Sequence, residues 1–188
     1  MRQATEGRKS MRLPGAGDYK PRYAKQARDR KQFFSLLRCG LTVFISAIVF
    51  HTLFGIAIVS GKSMEPTLRE GDVILFWKLS SAYKTGEIVL IQAEGRTDYV
   101  KRVCAVSGDT VMLDDSGAFY VNGKLQDEPY IHESTYAKAG VEYPLTLLEQ
   151  EYFVLGDCRS VSWDSRSYGA VYAQRIDGKI VFLFRGGM

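Results

Sequence analysis

A serine attacks a carbonyl carbon only when a neighbouring base takes its proton. Histidine steadied by a carboxylate is the commonest such base, but the chain has only two histidines, His51 and His132. His51 lies in a long apolar run, and His132 stands in an irregular stretch with no motif around it. Lysine can replace histidine where burial disfavours its ammonium form and lowers its pKa. Lys101 meets that condition: in Tyr99-Val-Lys-Arg-Val-Cys-Ala-Val, strand alternation puts it on one face with Tyr99, Val103 and Ala105, in largely apolar company. Taken alone it would read first as a lysine guarding a strand edge.

The matching nucleophile is Ser63, in Ser60-Gly-Lys-Ser-Met-Glu-Pro-Thr-Leu. Gly61 gives the backbone freedom just before it and Pro66 fixes the chain just after it. A hydroxyl is thereby presented on a constrained turn, with backbone N–H groups near it free to bind an oxyanion.

Both residues must be held by surrounding elements, and these read as β. Val73-Ile-Leu-Phe-Trp, Glu87-Ile-Val-Leu-Ile, Phe119-Tyr-Val, Glu151-Tyr-Phe-Val-Leu and Lys179-Ile-Val-Phe-Leu-Phe have strand length and β-branched or aromatic content, as does the Lys101 segment. Glycine-centred breakers separate them, and Asn122-Gly123 predicts a type I′ hairpin. Residues 131–148 are less regular and read as an insertion or extended loop. No long helical pattern follows residue 59.

Upstream, Cys39 to Val59 carries no charge over 21 positions, enough for a helix across a bilayer core at about 1.5 Å per residue. A buried core helix rarely lacks a polar face over five turns, and a cleaved signal has a shorter apolar region. The segment therefore reads as an uncleaved anchor, its downstream end turning to strand at Gly55-Ile-Ala-Ile-Val. His51, near the middle of the span, has no acidic partner there and reads as a tolerated side chain. Residues 1–38 hold 11 basic and 3 acidic residues, a net of +8, so the other 150 carry −4. The basic excess predicts an N-terminus in the cytoplasm and residues 60–188 outside it. It is a property of the tail, read as a solvated or lipid-contacting segment, and gives no support to nucleic-acid binding by the body.

The three cysteines, Cys39, Cys104 and Cys158, are too few for a disulfide scaffold, and no zinc-ligand spacing occurs. Cys104 and Cys158 are open to pairing in an exported body, though two small buried residues is the favoured reading.

The Ser63 segment resembles the serine box, Ser-Met-x-Pro-Thr, of the type I signal peptidases. Tyr99-Val-Lys-Arg-Val followed by Ser107-Gly-Asp resembles the family's lysine box, and Gly156-Asp-Cys-Arg-Ser-Val-Ser-Trp-Asp-Ser-Arg its C-terminal box. Three motifs in order behind an anchor extend the likeness over nearly the whole chain after the span. The resemblance implies a mainly β fold of antiparallel sheets behind one transmembrane helix, Ser63 as nucleophile and Lys101 as general base. It implies that Ser162 orients the lysine amine, and that Asp164 and Arg166 form a bracing charge pair; alone, that pair would read as an ordinary surface contact. Cys158 replaces the family's usual Asn, Ser107 its Pro, and Gly86-Glu-Ile-Val its Gly-Asp-Ile-Val, none of them a reacting group. Where some members place an oxyanion-binding serine this chain has Gly61, which leaves the Ser63 N–H, with help near Gly61, as donor. A lysine base is the bacterial pattern.

The expected activity is cleavage of secretory preproteins at the membrane surface, after small residues at positions −1 and −3 of the signal peptide. Met64, Val100 and Val59 are candidates to line those pockets, with plain core equally open for Val59. No cofactor or metal is implied. Two rivals are a self-cleaving Ser-Lys repressor-type protease, disfavoured by the span, and a catalytically silent anchored β-domain that binds exported chains.

Overall fold

The computed structural model describes residues 22–92 and 98–186, with side chains from Arg28 onward in the first helix. Most of the basic tail therefore lies outside the described residues. Two compact units divide near Ile48. Helix α1 (Arg22–Leu53) opens the described chain. Arg28–Leu53 is long and apolar enough to cross a membrane, with mean hydropathy 2.1 over an 18-residue window within it. The helix reaches back into the basic segment: residues 22–38, part of a tail that reads from sequence as disordered, solvated or lipid-contacting, with Phe33, Phe34, Leu36 and Leu37 open to entering the membrane, are helical here. Ala24, Lys25, Gln26, Ala27, Arg28, Arg30 and Lys31 are strong helix formers, and this propensity acts without any apolar stripe. At the other end the helix stops at Leu53, so His51 falls in its last turn rather than mid-span.

From Phe54 the chain is β, in keeping with the β-branched residues after Gly55. β1 (Phe54–Ile58) pairs antiparallel with β2 (Val73–Trp77). The remaining strands are β3 (Ile88–Ile91), β4 (Tyr99–Ala105), β5 (Thr110–Leu113), β6 (Phe119–Val121), β7 (Lys124–Leu125), β8 (Leu145–Thr146), β9 (Glu151–Leu155), β10 (Val171–Tyr172) and β11 (Ile176–Phe184). They make a seven-stranded sheet, β1-β2-β11-β3-β4-β9-β10, and a four-stranded sheet, β7-β6-β5-β8. Neighbouring strands run antiparallel, including β3 with β4 and β4 with β9, the pairs that flank Lys101. A short helix, α2 (Ser165–Tyr168), follows β9.

The irregular insertion contributes β8, which Thr110 and Val111 of β5 recruit to the smaller sheet. The hairpin at Asn122-Gly123 joins β6 to β7, both turn residues having positive φ, 53° and 75°. Apolar faces form three clusters. One centres on Val89, Val103 and Val154, one on Ala105, Val111, Phe153 and Leu155, and one on Val59, Met64, Leu68 and Ile74. A register shift between Val103 and Ala105 interrupts the expected alternation. Ala105 accordingly packs with Cys104 in the second cluster, not beside Val103 in the first. One extra residue in a ladder resets which face later side chains occupy.

Candidate active site

Ser63 sits on the loop between β1 and β2. Its neck is closed by Val59 N–H donating to Asp72 O at 2.8 Å and Gly71 N–H donating to Val59 O at 2.9 Å. Arg185, just past the end of β11, donates to the Asp72 carboxylate, the shortest contact being 2.7 Å, and to Thr67 O at 3.0 Å. Arg185 and the Arg69 N–H together hold the Asp72 carboxyl below its ordinary range. Gly61 has φ +83°, and a β-carbon there would meet nothing within 4 Å. Glycine is therefore required for backbone conformation rather than space.

Lys101 comes from the middle of β4, opposite Val89 of β3. Only 2% of it is exposed. Its Nζ donates to Ser63 Oγ at 3.0 Å and to Val100 O at 3.1 Å, and lies 5.5 Å from the centre of the Tyr99 ring. Burial pushes its pKa down to about 8, against the pull of Asp164 and Asp157 and with help from the charges of Arg166 and Lys138. A free amine at hydrogen-bond distance from a hydroxyl can accept its proton. Among the described residues the Ser63 N–H donates no hydrogen bond, which leaves it open to an incoming oxygen.

The third component is the loop from Gly156 to Arg166, running from β9 into α2. It meets the serine loop directly, Cys158 N–H donating to Ser63 O at 3.1 Å. Asp157 is the joint between all three pieces. It accepts from Arg102 of β4 at 2.9 and 2.6 Å and from the Thr67 hydroxyl at 2.5 Å, while Arg102 also donates to Thr67 Oγ1 at 3.2 Å. Tyr130 covers the Arg102 guanidinium, 4.0 Å from ring centre to Cζ. Asp164 and Arg166, both essentially unexposed, pair through two contacts of 2.9 Å. Asp164 also accepts from the Gly156 N–H at 3.1 Å. Burial by itself would raise the Asp164 pKa, but the Arg166 guanidinium outweighs it and holds the carboxyl charged, below its ordinary value. Such a buried pair is a fixed strut, unlike a surface contact.

Ser162 is brought to the site but does not hold the lysine amine. Its hydroxyl is wholly buried and makes no hydrogen bond to Lys101. Val59 and Met64 are buried and Val100 is half-buried beside them, so they belong to the third cluster. The same three also line a cleft of about 570 Å³ that runs past Ala57, Gly61, Ser63, Leu90 and Lys101 to Trp163. Cys104 and Cys158 are both free thiols. Burial pushes the Cys104 thiol pKa well above its ordinary value. His132 is exposed and lies outside the cleft.

Arg102, Asp157 and Arg159, which lie inside the lysine-box and C-terminal-box segments but take no expected role from them, and Glu128, which lies outside all three motifs, support the site. Arg159 is 1% exposed and donates to Glu128 at 2.7 and 2.9 Å. Their signal is present: arginines inside apolar strand or motif segments demand buried carboxylate partners. The partners, however, lie 55 and 31 positions away in the chain.

An antiparallel β-body thus holds a serine, a buried lysine and a braced carboxylate loop around an open cleft, and the likeness to known proteins is to peptidases. Residues 32–185 match the family described as signal peptidase, peptidase S26. The chain belongs to that family. It is 32% identical over 173 residues to signal peptidase I of Bacillus licheniformis, covering 85% of this chain and 92% of that one. It is 35% identical over 144 residues to signal peptidase IB of Staphylococcus aureus, covering 67% and 75%. Among solved structures, a signal peptidase I from Enterococcus faecalis superposes with a TM-score of 0.46 at 27% identity, over 54% of this chain and 98% of that one.

Proposed function

We propose that the chain is a membrane-anchored serine endopeptidase that removes N-terminal signal peptides from exported preproteins, with Ser63 as nucleophile and Lys101 as general base. The observation that carries this reading is the 3.0 Å contact between Lys101 Nζ and Ser63 Oγ at a lysine only 2% exposed. Neutral Lys101 takes the Ser63 proton as Oγ attacks the scissile carbonyl, and the Ser63 N–H binds the developing oxyanion. The ammonium of Lys101 then protonates the leaving amine. A water, deprotonated by Lys101, attacks the acyl ester and frees Ser63. Asp157 with Arg102, and Asp164 with Arg166, hold the loops that carry these groups; neither pair exchanges a proton in the reaction.

Substrate lies in the cleft between the end of β1 and the start of β4, where the small apolar recesses beside Met64, Val100 and Val59 suit small side chains. The apolar part of α1 is the anchor, with the basic N-terminal residues in the cytoplasm and the β-body outside. Anchoring confines enzyme and lipid-held substrate to one surface and raises their effective concentration.

The test is cleavage of a preprotein with an Ala-x-Ala site by the full chain in detergent, the cut being located by mass spectrometry. Cleavage after the second Ala by wild type, absent in Lys101→Ala and Ser63→Ala, is the expected result. No cleavage by folded wild type, or full cleavage by Ser63→Ala, overturns the reading.

A further inference from the structure

The first part of the insertion, irregular in sequence, is fastened to the 156–166 loop. Glu128, just ahead of the insertion, holds Arg159, and within the insertion the Thr135 hydroxyl accepts from Arg159 as well. Glu133 accepts from the Ser160 N–H and hydroxyl, each at 2.8 Å. Tyr136 O lies 3.5 Å from Arg166 Nη1. At the end of this strap the half-buried Lys138 donates its Nζ to Ser162 O at 2.5 Å. That carbonyl belongs to the residue whose Oγ packs against Gly156, next to the Ser63 carbonyl.

We propose that Lys138 is a positioning residue for the dyad: by holding the Ser162 carbonyl it fixes the loop against which Ser63 rests. The inference rests on the Ser63–Lys101 reading and assigns its support to a residue outside all three motifs. Lys62 and Asp98 line the same cleft as Lys101, and among the described residues the charged groups acting on it are Asp164, Asp157, Arg166 and Lys138. The two carboxylates favour its ammonium form and the two cations oppose it. Arg102, adjacent in sequence, is committed to Asp157. Around Lys138 itself stand Glu133, Arg159 and Arg166, lining the same recess of about 410 Å³. Removing the Lys138 charge therefore shifts the balance at Lys101 toward the protonated, inactive form. Removing its hydrogen bond frees the Ser162 backbone. The Lys138 side chain itself is not part of the lining of the cleft where substrate lies.

The test compares wild type, K138M and K138R as full chains in detergent, measuring kcat and KM for the Ala-x-Ala preprotein from about pH 6 to about pH 10 alongside thermal unfolding. K138M is expected to lower kcat at neutral pH by roughly tenfold, with KM unchanged and the acid limb moved to higher pH. K138R, which keeps the charge and a donor, is expected to restore most of the rate. K138Q serves in place of K138M should the latter unfold. A pH profile for the charge-removing variant that superimposes on that of wild type overturns the proposal, as does a rate loss that follows the fall in thermal stability and is not restored by K138R. Ser63→Ala in the same series separates the two readings: its inactivity leaves the dyad standing whatever Lys138 does, whereas its retention of activity removes both.

Discussion

A β-carbon on Gly156 would stand 2.2 Å from Ser162 Oγ and 2.5 Å from the Ser63 carbonyl oxygen. The missing side chain at 156 is thus what lets the 156–166 loop close onto the serine loop. Because the nearest atoms include backbone, a larger residue has to push Ser63 away from Lys101. Gly156→Ala is expected to lower kcat/KM by ~100-fold, the scale of an ångström-sized misplacement. Ser162→Gly in the same chain leaves the Ser63 carbonyl in the way, so the double variant stays impaired; steady-state kinetics on the pair check this.

The rate should climb with pH through the Lys101 titration. The lysine must be neutral to accept a proton, and burial brings its pKa to about 8. Below that value the neutral fraction falls ~tenfold per pH unit. A profile of kcat/KM against pH is expected to show an acid limb near pH 8, and a limb near the ordinary histidine range would identify a different base.

Asp157 ties the buried Arg102 to the half-buried Thr67. Asp157→Ala leaves a guanidinium with 10% side-chain exposure facing no carboxylate, and breaking a buried pair on one side costs about 3–5 kcal/mol. Arg102→Met with Asp157→Leu removes both charges and is expected to recover part of that loss. Denaturant unfolding of the two variants checks the order.

Gly123 sits at φ +75°, and a β-carbon there would have no atom within 4 Å. A side chain at this position meets only its own backbone, so Gly123→Ala is expected to cost about 1–2 kcal/mol and to leave kcat at its wild-type value. Thermal unfolding and a cleavage assay on one preparation measure both halves.

Cys158 is partly exposed on the 156–166 loop, and Cys104 is buried. In a Cys39→Ser chain, a membrane-impermeant maleimide added outside intact cells is expected to label Cys158 alone. Labelling that requires permeabilised cells would reverse the proposed orientation.

Strand positions, the hairpin turn and the apolar helix follow from local rules: β-branched runs, a positive-φ dipeptide and a charge-free stretch each act over a few residues. Ser63 and Lys101 are legible for the same reason, since each stands in a compact motif. The helix extension from Phe33 back to Arg22 is not, because propensity there acts without apolar periodicity. What only the tertiary structure decided is how separate segments meet. A bulge after Val103 sets which core Ala105 enters, Asp157 joins Arg102 to Thr67, and Lys138 reaches Ser162 across 24 positions. These contacts depend on strand register and loop closure, in which a shift of one residue reverses a face. The sequence by itself determined which groups could react; the fold determined the 3.0 Å that brings two of them together and the buried charges that keep them there.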